Sequence, residues 1–76
     1  MRVDRLVTMA NDIGGFWASE PDKTEGAKQV VSHLTRFWDP RMRREIVAHH
    51  RDGGGGLDPL VSTAVELLAS QDRAAS

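Results

Sequence analysis

Cysteine is absent from the 76 residues, which removes disulfides, thiolate metal sites, iron–sulfur ligation and cysteine nucleophiles together. No apolar run is long enough to cross a membrane, and the charges in Met1-Arg2-Val3-Asp4-Arg5 interrupt the stretch a secretory signal would need. The expectation is a soluble, cytoplasmic chain. No credible strand pattern is present either, because the apolar residues recur at helical rather than alternating spacing. Charge of one sign is also scarce: the net charge is −1, which argues against a general nucleic-acid binder. At this length the chain is one domain at most, in a range where a core seldom supplies more than about 3–5 kcal/mol and association with another chain is common.

The charge that is present is unevenly placed. From His33 to Arg51 five arginines face Asp39 and Glu45, a local +3, whereas residues 52–76 carry four acids against Arg73, a local −3. Four helices are expected. The first carries Val3, Leu6, Val7, Ala10, Ile13 and Trp17 at helical spacing, with Met9 and Phe16 widening the stripe beyond what one core contact requires. Gly14-Gly15 inside that pattern costs about 1 kcal/mol per glycine against alanine, so either the helix weakens there or another backbone comes close. Ser19-Glu20-Pro21 breaks the pattern. Asp22 to Glu25 has capping-box spacing before a second helix with Ala27, Val30, Val31, Leu34, Phe37 and Trp38.

Asp39-Pro40 and Asp58-Pro59 each read as a helix start: Asp accepts an orphan backbone N–H, and proline suits the first turn, where its missing N–H is no loss. The third helix is poor in apolar residues, with Met42, Ile46 and Val47 spread among Arg41, Arg43, Arg44 and Glu45, so it is expected to be short and largely exposed. Gly53 to Gly56 end it as a hinge or mobile loop. The fourth helix presents Leu60, Val61, Ala64, Leu67 and Leu68. The expected architecture is an all-α bundle of three to four short helices joined by Pro/Gly-containing turns, with helices 2 and 4 against helix 1. Residues 1–70 form the domain and 71–76 a polar tail.

The chain offers little for catalysis. No Gly-Lys-Ser/Thr follows the glycine run and no strand precedes it, so it is no phosphate loop. His49 and His50 diverge on a helix and His33 lies on another, whereas a metal face needs spacings such as i and i+4. A solvated pair near a helix C-terminus is the plainer reading. Paired carboxylates would need a cleft to separate their pKa values, and so small a bundle has little room for one. No catalytic, cofactor or metal residue is assigned. What remains is Phe37-Trp38-Asp39-Pro40-Arg41-Met42-Arg43, where adjacent aromatics run into a sharp turn and a cluster of arginines. Neighbours on a helix point about 100° apart, so both aromatics cannot fill one face. Arginine and tryptophan are enriched at interface hot spots. Phe37, Trp38, Arg41, Met42 and Arg43 are therefore the candidate partner-binding set, with Phe16 and Trp17 as a second. Truncating Arg41 and Arg43 is expected to leave the isolated fold nearly intact.

Three segments carry a family resemblance: Met9-Ala10-Asn11-Asp12-Ile13-Gly14 with Phe16; His33 through Arg43; and Gly55-Gly56-Leu57-Asp58-Pro59-Leu60-Val61. From about Met9 to Leu68 the chain resembles the delta subunit of the soluble, NAD-dependent, molybdenum- or tungsten-containing formate dehydrogenases. The resemblance implies a small accessory subunit of a bacterial complex whose other subunits hold the pterin, the iron–sulfur clusters and the flavin. It supplies no catalytic residue. Its implied partner is the catalytic (alpha) subunit and, through it, the others, with self-association possible for the isolated chain. The alternatives are a transient assembly factor or a small helical nucleic-acid-binding regulator.

Overall fold

The computed structural model describes residues 2–75, with side chains through Gln71. Four helices follow one another, α1 (Val3–Gly15), α2 (Lys23–Phe37), α3 (Pro40–Arg51) and α4 (Pro59–Ala75). No strand occurs among the described residues. The all-α bundle read from the periodicity is the fold. α4 continues to Ala75 rather than stopping before the polar residues, and Ser76 lies outside the described residues.

The helix starts follow from their local chemistry. Asp22 caps α2, its Oδ1 accepting from the N–H groups of Thr24 and Glu25 at 3.0 and 3.2 Å. The second half of the expected capping box is not made. Glu25 instead accepts from Gln29 Nε2, and the Asp22 N–H donates to Glu20 Oε1. Asp39 caps α3, accepting from the Met42 N–H at 2.9 Å, with Pro40 opening the first turn. At α4 the Asp58 carbonyl accepts from the Ser62 N–H at 2.8 Å, the bond that begins the ladder.

The core is built from Leu6, Ala10 and Ile13 of α1, Ala27, Val30, Val31 and Leu34 of α2, Ile46 and Val47 of α3, and Val61, Ala64, Val65, Leu68 and Ala69 of α4, closed by Trp38. No described polar or charged side chain is buried. α2 and α4 both pack against α1, as expected, but the most extensive packing is that of α4 against α2 and next against α3. The cause lies in the inward faces. α4 buries five positions at i, i+3, i+4, i+7 and i+8, two of them alanines that admit close approach, whereas α1 buries three apolar side chains. α4's face is also rotated from the expected one, with Val65 and Ala69 inside while Leu60 and Leu67 are only partly buried.

One glycine sets a close approach. A Cβ at Gly14 would lie 2.5 Å from Val61 Cγ2, so what comes close to α1 here is an α4 side chain rather than a backbone. Gly53–Gly56, expected as a hinge or mobile loop, is tied to both α1 and α3. Asn11 Nδ2 donates to the Gly56 carbonyl at 2.8 Å and Asn11 Oδ1 accepts from the Asp58 N–H at 3.0 Å. The Gly54 N–H closes the end of α3 on the His49 carbonyl at 2.9 Å. Gly53, Gly54 and Gly56 adopt φ of +117°, +66° and +85°, values that side chains with a Cβ rarely take. The run is thus a shape requirement, held from α1 by one side chain.

Candidate partner-docking corner

α2 ends at Phe37, and the chain leaves the helix at Trp38 with φ −92° and ψ 137°. Ala27, Val30, Val31, Leu34 and Trp38 continue one inward stripe, so the indole turns into the core and is 5% exposed. Phe37 falls off that stripe and is 70% exposed. The two aromatics therefore part at the helix end. Phe37 is not loose on the surface: its ring lies against His33, one turn earlier, with centroids 4.6 Å apart and planes tilted by 41°.

The corner beyond is stiff. The Asp39 cap fixes the start of α3, and Arg43 Nη1 donates to the Thr35 carbonyl at 2.9 Å. Thr35 lies in the last turn of α2, where carbonyls lack helical partners. Arg43 thus ties the first turn of α3 to the last of α2. It is half-buried, and its truncation would remove this internal bond along with any partner contact. Arg41 is exposed and lies 3.7 Å from Glu45, one turn on. Met42 is half-buried against the core. Arg36 and Arg44 are exposed and form no ion pair with a described side chain. The corner therefore presents Phe37, Arg36, Arg41 and Arg44 outward, while Trp38 and much of Met42 and Arg43 serve the fold.

The second aromatic pair lies elsewhere. Phe16 is 82% exposed, and Trp17 is half-buried with its ring 6.2 Å from that of Phe16, edge to face. The Trp17 carbonyl approaches the first turn of α2, 3.4 Å from where a Cβ on Gly26 would sit. Phe37 follows eleven residues on, about 16 Å along the helix at 1.5 Å per residue. The structure does not bring the two sets together; they mark opposite ends of α2.

Among the described residues, no group of three or more potential ligands is arranged for a metal ion. His49 is committed to the fold, donating from Nε2 to the Gly55 carbonyl at 2.7 Å, rather than standing solvated at the end of α3. Sequence reasoning missed both polar pins of the glycine loop. For Asn11 a signal existed, an amide one residue from Ala10 on an otherwise apolar stripe; for His49 only the fold supplies the partner.

Compared with known families, residues 5–65 match the one described as NADH-dependant formate dehydrogenase delta subunit FdsD. Neither the curated proteins nor the solved structures contain a match to the chain.

Proposed function

The chain belongs to the FdsD family of NADH-dependent formate dehydrogenase delta subunits, and from that premise we propose that it is a non-catalytic accessory subunit that docks on the catalytic subunit and stabilises the assembled enzyme. The observation that carries the docking site is Phe37, a large apolar side chain left 70% exposed on a corner fixed by the Asp39 cap and the Arg43 tie. Association costs less when the contacting groups are already ordered. Phe37 is held by His33, and Arg41 by Glu45. The partner surface that fits is an apolar socket for the ring, rimmed by carboxylates for Arg36, Arg41 and Arg44. Guanidinium–carboxylate pairs would fix orientation, and the buried ring would supply most of the energy.

The absence of cysteine supports a role outside the redox chain, since thiolate ligation of a cluster is unavailable. Stoichiometry separates a subunit from an assembly factor. Tagged chain should co-purify in fixed ratio with enzyme that reduces NAD with formate, through the final sizing step. Active enzyme that has shed the chain by that step would show a transient factor instead.

A further inference from the structure

The end of the molecule opposite the corner carries its own unused surface. Phe16 is the most exposed large apolar residue described, more so than Phe37. It sits on a fixed platform, with αR backbone angles that continue the α1 geometry and the half-buried Trp17 ring against its edge. Two residues on, Ala18 enters the lining of a shallow cleft with Lys23, Asp58, Pro59, Leu60 and Thr63. The charge here is opposite to that of the corner. Asp12 stands one turn before Phe16, on the same side of the helix, and Glu20, Asp22 and Glu25 follow. Residues 12–25 thus hold four acids against Lys23, a local −3, whereas residues 33–45 hold four arginines against Asp39 and Glu45. Lys23 is turned to the Ala18 carbonyl, 2.7 Å away, and no described cation pairs with these acids.

We propose that the Phe16 end is a second docking surface, taking a protein partner that presents an apolar socket rimmed by lysine or arginine. An anionic lipid surface or a nucleic acid would meet repulsion here, so charge complementarity selects a basic protein surface. A second copy of this chain could offer such a surface only through its corner. Given the docking role assigned to the corner above, the partner at Phe16 is a different polypeptide segment, and the chain bridges two surfaces about one helix length apart. The exposed ring and acidic rim at Phe16 stand without the corner reading; the exclusion of a second copy and the bridging rest on it.

The test uses the assembled formate dehydrogenase complex. A photoreactive phenylalanine analogue is placed at position 16 in one preparation and at position 37 in another, and the cross-linked peptides are sequenced. Position 16 should capture a lysine- or arginine-rich segment of another polypeptide, distinct from the segment captured at 37. Phe16→Ser should lower retention of the chain in the complex at least fivefold while its thermal midpoint stays near that of the parent. Capture at 16 of a second copy of this chain, no capture at all, or retention of Phe16→Ser equal to the parent overturns the proposal. Capture at 16 with none at 37 upholds the Phe16 surface and removes the corner reading instead.

Discussion

Trp38→Ala should cost about 3–5 kcal/mol, the range for emptying a buried aromatic site, and in a domain of this size that abolishes the cooperative thermal transition. Phe37→Ser should change stability by about 0.5 kcal/mol or less, a shift of under about 4 °C in the midpoint followed by circular dichroism. The sequence announces that these neighbours must part, because helical geometry forbids them one face. Which of them turns inward is not legible locally: it depends on where α2 ends and on the extended step at Trp38. The paired glycines divide in the same way. Gly14→Ala gains helix propensity but drives a methyl into Val61, so a net loss of about 1–3 kcal/mol is expected from overpacking. A methyl at Gly15 would meet nothing within 4 Å, and Gly15→Ala should raise the midpoint by the equivalent of about 0.4–1 kcal/mol. Melting the two variants side by side checks both signs.

Helix boundaries were the most readable feature because their causes are short-range. An Asp cap and a following proline act within one turn, and Asp39 and Asp22 accept the N–H groups that this chemistry requires. The glycine loop was not readable for the complementary reason. One of its two pins is Asn11, 45 residues before Gly56 in the chain, and nothing near the glycines signals that hold. Asn11→Ala removes one donor to the loop and one acceptor from the Asp58 N–H. The expected cost is about 1–3 kcal/mol, the range for stranding hydrogen-bonding groups, with faster amide hydrogen exchange at Asp58 than in the parent. Unchanged exchange at Asp58 would mean that His49 alone holds the loop.

At the scale of the whole molecule, the wide stripe of α1 marks membership of the core more than surplus surface. Val7, Met9 and Trp17 are partly buried against the core, and the excess narrows to Val3 and Phe16. The expectation of exposed apolar surface therefore holds at fewer positions than the stripe suggested. The partner set shifts likewise. Phe37 and Arg41 are exposed, Trp38 is not, and Arg36 and Arg44 are exposed with them. In the docking proposed above, this corner, not the fold in general, secures the chain to its enzyme. It is tested by titrating the isolated catalytic subunit with the parent chain and with Phe37→Ser, both shown by circular dichroism to be folded. At least tenfold weaker binding is expected for the variant, a loss of about 1.4 kcal/mol or more. Equal affinity for the two would contradict it.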